Sequence, residues 1–369
     1  MVRRLAQGAV ALASLALFAF AWRANELWFD KHVFLPRQFF AAADRGAVAF
    51  WRGGAAALGL ALLFFGVPTA ARWPWRRLLV ALLLGLVAGE GLLRWRMRKP
   101  LEPEAAAVME ALTTFDPRYG HTLAPSIDRT FPMSGRNIRW VTDSARHRTG
   151  GTPPDPALPS LVFTGESTMV GHGLQWEETF PALLGARLGV EVVNLASFGY
   201  RSDQSWLRLA DALPTLAHPQ AVVAIFMPGL LGRNFAGLRH PPVRQSPTGV
   251  EYREIPPPDF FERLQLYQLW MRMPYLSNAA FEEVMVSTAA VLRQMAALSR
   301  ARGAPCVFLV MGHPAPFLVH DLFEVPGLDH LLLDLPKEEF LADGHPSPRG
   351  AIHIADALEP RLRSALAHR

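Results

Sequence analysis

The chain has 369 residues, of which 50% are hydrophobic and 19% are charged, and its formal net charge is +5. This length allows two or three domains with a sizeable core. The isoelectric point is about 9.8, but the arginines are scattered rather than interleaved with aromatic residues, which does not favour nucleic-acid binding. The single cysteine, Cys306, lies in an apolar run and can form no intrachain disulfide.

Apolar residues are concentrated in the first hundred positions. Three runs approach the length that crosses a bilayer, and we predict three transmembrane helices there: 5–22, 53–71 and 78–94. The third run carries Glu90, whose side chain we expect to pair or snorkel near Arg94. The first run could instead be a cleaved signal sequence, because Ala19-Phe20-Ala21 resembles a small-x-small cleavage site.

Basic residues beside these runs predict the orientation. One group favours a cytoplasmic amino terminus: Arg3, Arg4, Arg72, Arg76 and Arg77. A second group, after the third run, favours the opposite orientation: Arg94, Arg96, Arg98 and Lys99. Because the first span usually dominates, we predict a multi-pass protein of a bacterial inner membrane with its remaining chain on the periplasmic side.

Residues 100–159 are rich in Pro, Gly and Arg, and we predict a linker and capping segment there. Strand-like apolar runs then alternate with helical patterns. The predicted strands are 161–164, 190–194, 221–227, 306–311 and 331–335, and the predicted helices are 177–188, 204–213, 278–302 and 348–367. This alternation predicts an α/β domain over 160–369 with a parallel sheet covered on both faces. Residues 234–278 interrupt this alternation of strands and helices. They form an inserted lid, a membrane-facing surface or a segment packed on the sheet.

A candidate nucleophile follows the first predicted strand. The apolar run ends abruptly at Gly165-Glu166-Ser167, and a helical pattern follows. In open α/β sheets, functional groups are presented where a strand ends and the chain turns into a helix. The alternative is a strand-to-helix turn in which the serine only caps the helix.

A serine nucleophile needs a base, and the base needs an orienting group. Asp343 and His345 lie on a Gly- and Pro-rich loop before the last helix, and we expect this loop at the same sheet edge as Ser167. His172 and His313 compete for the role of base, since both could reach that edge. If Ser167 and His345 act together, Oγ and a ring nitrogen should lie within about 3.2 Å.

Two segments resemble conserved blocks of the SGNH (GDSL-type) esterases and acyltransferases: GESTMVGHGLQWEETFPALLGARLGVEVVNLASFGYRSDQ and ADGHPSPRGAIHIADAL. The resemblance implies a flavodoxin-like three-layer fold, with Ser167 as nucleophile, His345 as base and Asp343 as its orienting group. It implies that backbone N–H groups of Ser167 and Gly199 form the oxyanion hole. It implies no cofactor, and the sequence holds no metal-ligand spacing, phosphate loop or dinucleotide fingerprint.

The chain departs from this family in three places. Glu166 replaces the usual Asp of the first block, and Asp343 and His345 have Asp-x-His spacing, as in the membrane-associated polysaccharide O-acetyltransferases. The third block lacks its oxyanion Asn, so Asn234 or backbone N–H groups must serve instead. Losing one oxyanion donor typically lowers the rate about 10²–10³-fold.

These observations predict a membrane-anchored serine esterase or O-acyltransferase that works through a Ser-acyl intermediate. The position beside membrane spans suggests an ester of an envelope glycan or lipid as substrate, with membrane lipid as a neighbour. The alternative is a weak or inactive module of the same fold that binds a glycan or a protein partner. A transporter with a soluble appendage has little support from three spans and a single intramembrane carboxylate.

Overall fold

The computed structural model describes most of the chain: residues 2–29, 45–70, 72, 75–97, 103–235, 244–246, 249–251, 260, 261, 264, 267, 278–312 and 314–367. The chain forms two compact units. The first comprises Met1–Lys99 and Pro258–Phe281, and the second comprises Pro100–Pro257 and Glu282–Arg369. Most of the predicted insertion 234–278 lies outside the described residues.

The described part of the first unit is helical. Its helices are α1 (Val2–Arg23), α2 (Glu26–Phe29), α3 (Arg45–Ala61), α4 (Val67–Ala70) and α5 (Trp75–Met97), with a π-helical turn at Leu62–Gly66 joining α3 to α4. Within the described residues, two stretches are long and apolar enough to cross a membrane, Arg4–Arg23 and Val48–Ala70. They overlap the first two predicted spans.

The third predicted span, 78–94, is not among these candidates in the described part of the chain, so the prediction of three is corrected to two. The run does form a helix, α5, but it carries an ion pair inside its apolar sequence. Arg94 Nε lies 2.6 Å from Glu90 Oε1, so the expectation of a paired Glu90 is confirmed.

The second unit begins with α6 (Pro103–Leu112) and five short strands: β1 (Thr113–Asp116), β2 (Gly120–Leu123), β3 (Asp128–Met133), β4 (Arg136–Thr142) and β5 (Arg148–Thr149). β1 and β2 form one antiparallel pair, and β3, β4 and β5 form a second antiparallel sheet. This is the segment predicted as linker and cap. Its buried residues Ile138 and Trp140 belong to the same core as Phe163 of the main sheet.

The remaining elements alternate along the chain: β6 (Pro159–Thr164), α7 (Ser167–Val170), α8 (Phe180–Leu188), β7 (Glu191–Asn194), α9 (Ser202–Ala212), β8 (His218–Phe226), α10 (Pro228–Phe235), β9 (Arg244–Ser246), β10 (Gly249–Glu251), α11 (Asn278–Ala301), β11 (Cys306–Met311), α12 (Pro316–Val319), β12 (His330–Leu333) and α13 (Pro348–Ala367). Single 3-10 turns lie at Trp176–Glu178, Leu213–Thr215 and Lys337–Glu339, and a π-helical turn lies at His320–Glu324.

Five of these strands form one sheet in the order β12-β11-β8-β6-β7, and every neighbouring pair in it is parallel. All six residues of β11 are buried, as a strand covered on both faces requires. The predicted α/β class and the predicted parallel sheet are therefore confirmed. Because the strands run in one direction, the chain segments that follow β6, β7 and β8 meet at one edge of the sheet.

Candidate active site

Ser167 is the first residue of α7 and follows the end of β6 after two residues. Glu166 caps this helix, because its Oε1 accepts a hydrogen bond of 2.9 Å from the Thr168 N–H. Only glycine fits at position 165, because a Cβ there would lie 2.3 Å from Cγ2 of Ile225 on the neighbouring strand. The turn therefore presents Ser167, a residue that is 8% exposed, at the carboxyl edge of the sheet.

A tight loop before α13 carries Asp343 and His345. The Leu341 N–H donates to the His345 carbonyl at 2.7 Å, and the Gly344 N–H donates to the Leu341 carbonyl at 3.0 Å. Gly344 has a φ of +87°, in the left-handed region that glycine adopts most readily. Because of this turn, the side chains of Asp343 and His345 reach the same site although only one residue separates them.

The Nε2 atom of His345 lies 2.8 Å from Ser167 Oγ, within the separation expected for a nucleophile and its base. The other ring nitrogen, Nδ1, lies 3.2 Å from Asp343 Oδ1 but is not aligned for a hydrogen bond with it. The same Asp343 oxygen accepts the backbone N–H of His345 at 3.1 Å. The three predicted residues are therefore together, with the carboxylate beside the nitrogen that it would orient.

Glu166 gives the Ser167 hydroxyl a second neighbour. Ser167 Oγ donates to Glu166 Oε2 at 2.5 Å, and Arg233 Nη1 lies 3.6 Å from the same carboxylate oxygen. Burial would raise the pKa of Glu166, but hydrogen bonds from Ser167 and Thr168 and the charge of Arg233 outweigh it and hold that pKa below its usual value. A serine hydroxyl has one proton, so Glu166 and His345 compete for it.

The second oxygen of Asp343 contacts two further side chains. Ser134, in the turn between β3 and β4, donates its hydroxyl to Oδ2, and His172 Nε2 lies 3.1 Å from the same atom. Burial would raise the pKa of Asp343, but the Ser134 bond, the His345 N–H and the two histidines together lower it. Asp343 is therefore a carboxylate with neighbours on both oxygens.

Arg148 fixes the segment that follows the nucleophile. Its buried guanidinium donates to the carbonyls of Val170 at 2.6 Å and Gly171 at 2.5 Å, and also to the Leu174 carbonyl. It also lies 3.7 Å from the ring centroid of Trp140. Burial lowers its pKa to about 9, which leaves the group charged at neutral pH.

The proposed oxyanion donors fall in different environments. Ser167 is the first helical residue of α7, where backbone N–H groups have no intrahelical acceptor. Gly199 is exposed, has a φ of +66°, and no hydrogen bond joins its N–H to any residue in the described ranges.

Asn234 has other partners. Its amide nitrogen donates to Ser202 Oγ at 3.1 Å and to Thr288 Oγ1 at 2.9 Å, and its oxygen accepts the Ser202 N–H at 3.0 Å. Both N–H groups of the amide are thus bound to hydroxyl groups, and Asn234 links the start of α9 to α11.

Sequence reasoning named Ser167, Asp343, His345 and Gly199, and it treated His172 as a competing base. His313, the other competitor, lies outside the described residues. Ser134 and Arg148 were missed, because both lie in the segment predicted as linker and cap. The Ser134-Gly135 pair signals a turn but does not say what that turn contacts.

His172, Asp343 and His345 each offer a ligand atom, and these atoms lie within 4.8 Å of one another. This spacing would admit a divalent cation. The absence of a metal remains a prediction from the sequence.

No family model matches the sequence, and no curated protein matches it. Solved structures that it resembles include a carbohydrate esterase with divergent catalytic and non-catalytic binding functions (15% identity, 60% of this chain and 69% of that chain, TM-score 0.36). Another is the acetyl xylan esterase Est2A from Butyrivibrio proteoclasticus (12%, 58% and 66%, TM-score 0.37). A third is assigned to the G-D-S-L family of lipolytic proteins, from Desulfitobacterium hafniense (15%, 55% and 98%, TM-score 0.31).

Proposed function

We propose that this chain is a membrane-anchored serine esterase or O-acyltransferase of the SGNH type, acting on an ester of an envelope glycan or lipid. The contact that carries the proposal is the 2.8 Å separation of Ser167 Oγ and His345 Nε2. It joins a serine at the end of one strand to a histidine that also lies beside a carboxylate. This combination is what nucleophilic catalysis by serine needs.

The first half of the reaction is acyl transfer to Ser167. Ser167 Oγ attacks the ester carbonyl while His345 Nε2 takes the hydroxyl proton, so His345 carries its own proton on Nδ1, facing Asp343. The carbonyl oxygen becomes an oxyanion, for which the N–H groups of Ser167 and Gly199 are the donors. The ester C–O bond then breaks, and the leaving alcohol takes the proton from His345.

The second half returns the enzyme to its starting state. Water or a hydroxyl group of an acceptor attacks the acyl-Ser167 carbonyl, and His345 takes its proton. The tetrahedral intermediate expels Ser167 Oγ, which recovers the proton from His345. Hydrolysis and transfer differ only in the acceptor, so both are included in the proposal.

The membrane anchor is supported by the way α1 packs against α3. Ser14 Oγ donates to the Gly59 carbonyl at 2.7 Å, and a Cβ on Gly59 would meet Phe18 at 3.3 Å. Small residues at a close helix contact, with a serine bonded across it, are typical of helices packed in lipid. Only 6% of the first candidate span is buried in the structure, unlike a core helix of a soluble domain. We assign the two candidate spans to the membrane. With a cytoplasmic amino terminus, two spans return the chain to the cytoplasmic side, so the predicted periplasmic location held only for three spans.

One observation favours a second candidate function, a catalytically weak or inactive module that binds a glycan or a partner. No Asn occupies the turn after β8, and the Asn234 amide is already bound to two hydroxyl groups. Two backbone donors remain for the oxyanion, which is compatible with slow acyl transfer as well as with binding alone.

A fluorophosphonate serine probe tests the proposed function on the full-length protein in detergent. We expect the parent chain to label, and we expect no labelling of Ser167→Ala or His345→Ala. The matched control is His320→Gln, which changes an exposed histidine paired with Glu324 and should label like the parent. A folded parent chain that does not label would favour the binding module.

A further inference from the structure

We propose that His172 and Ser134 are positioning residues of the catalytic site, holding the Asp343 carboxylate in the orientation that directs its other oxygen toward His345. The inference rests on the proposed function and deepens it. It assigns a role to a histidine that the sequence offers only as a rival base, and to a serine from a separate small sheet.

The first support is the division of contacts between the two Asp343 oxygens. Oδ2 accepts the Ser134 hydroxyl and lies 3.1 Å from His172 Nε2, whereas Oδ1 faces the backbone N–H and Nδ1 of His345. A carboxylate turns about one bond, so contacts that fix Oδ2 also fix Oδ1. The His345 ring nitrogen is poorly aligned with Oδ1, which makes the orientation of this carboxylate decisive.

The second support is the His172 ring itself. Its centroid lies 4.3 Å from that of His345 at an interplanar angle of 33°, and the ring of Phe198 lies edge-on to it with centroids 5.7 Å apart. The ring therefore packs against both an aromatic side chain and the base. Burial, and then the neighbouring His345, lower the pKa of His172 to about 4, against the opposing effect of Asp343. We assign the proton of a neutral His172 to Nε2, which faces Asp343 at 3.1 Å and places no second positive charge beside His345.

The third support is the loop that carries His172. Arg148 donates to backbone carbonyls of this loop both before and after His172. Arg136 Nη1 donates to the Gly173 carbonyl at 3.1 Å. A Cβ on Gly173 would lie 2.7 Å from Leu341 and 2.9 Å from Ser134 Oγ. The loop thus packs directly against the residues that neighbour Asp343, and it is built to keep His172 in place.

A pair of substitutions at one position tests the proposal in full-length protein. His172→Leu removes the donor, whereas His172→Gln keeps an N–H group at a similar distance from the backbone. With 4-nitrophenyl acetate we expect His172→Leu to lower kcat at least tenfold with KM within about twofold, and His172→Gln to recover most of the loss. Equal activity of the two variants, or a change confined to KM, would overturn the proposal.

Ser134 is tested by Ser134→Gly, because its φ of +52° suits glycine and the change removes only the hydroxyl side chain. We expect kcat to fall about threefold or more, and the double variant with His172→Leu to fall by less than the product of the single effects. Independent, fully multiplicative effects would contradict a shared action on Asp343. His320→Gln is again the control.

A spectroscopic measurement tests the His172 contact without any need for activity. In two-bond ¹H–¹⁵N spectra of full-length protein with labelled histidine, we expect His172 to be neutral at pH 6 and protonated on Nε2. Asp343→Asn should shift this signal, and His320→Gln should not. A His172 ring that carries its proton on Nδ1 alone would overturn the proposal. Failure of the proposed function is recognised separately, by a parent chain that turns over ester no faster than Ser167→Ala.

Discussion

Ser167 Oγ and His345 Nε2 lie 2.8 Å apart although 178 residues separate them in the chain. Ser167 follows β6 at one edge of the sheet. His345 lies at the same edge, on the loop between β12 and α13. The parallel sheet makes this contact possible, because all of its strands end on the same side.

The charge of Asp343 should be needed for catalysis. Asp343→Asn keeps the size of the side chain but weakens the preference of His345 for a proton on Nδ1, which is the form that leaves Nε2 free to accept. We expect kcat for 4-nitrophenyl acetate to fall about 10²–10⁴-fold, with an unchanged circular dichroism spectrum. Asp356→Asn, at an exposed carboxylate paired with Arg187, should retain full activity. Retained activity in Asp343→Asn would remove Asp343 from the mechanism.

Shortening Glu166 should make Ser167 more reactive. Glu166→Asp keeps the charge and a helix-capping side chain, but it withdraws the carboxylate from Ser167 Oγ and leaves the proton for His345 alone. Because hydrogen bonds to charged groups contribute about 1.5–3 kcal/mol, losing this one should raise the fluorophosphonate labelling rate by about tenfold. Glu338→Asp, at an exposed glutamate, should label like the parent. A folded Glu166→Asp that labels more slowly would mean that the contact assists the reaction.

Removing the buried guanidinium of Arg148 should destabilise the second unit. Arg148→Met leaves three carbonyl oxygens without their donor, and we expect the free energy of unfolding to fall by about 3–5 kcal/mol. Urea titration followed by circular dichroism measures this change. Arg129→Met, at an exposed arginine over Phe131, should cost within about 0.5 kcal/mol. Equal stability of the two variants would show that the carbonyls find other donors.

Chelators should not affect the reaction. Proton transfer from Ser167 needs a free lone pair on His345 Nε2 and uses no metal at the His172, Asp343 and His345 cluster. We expect EDTA dialysis to leave the labelling rate unchanged. Loss of labelling that added zinc restores would assign this cluster to a cation instead.

The sequence predicts much of this fold, because buried parallel strands are continuous apolar runs and can be recognised without a structure. The five predicted strands and the Gly165 turn follow from such local patterns. The pairing of Ser167 with His345 is harder to infer, since it depends on the sheet edge to which each loop returns.

Other features depend on contacts that no local pattern reports. Arg148 looks like a surface residue in the sequence, and only the fold buries it against Trp140 and three carbonyls. Ser134 belongs to a separate small sheet, so its contact with Asp343 could not be anticipated. In the membrane region, counting apolar runs gave one span more than the described helices support.

Trapping the acyl-enzyme tests the central claim most directly. Full-length protein in detergent is mixed with 4-nitrophenyl acetate, quenched in acid within the first turnover and analysed by peptide mass spectrometry. The proposed mechanism predicts a burst of nitrophenol and one acetyl group on Ser167, with neither in Ser167→Ala. Turnover without an acetylated Ser167, or an acetyl group on another residue whose formation survives Ser167→Ala, would contradict it.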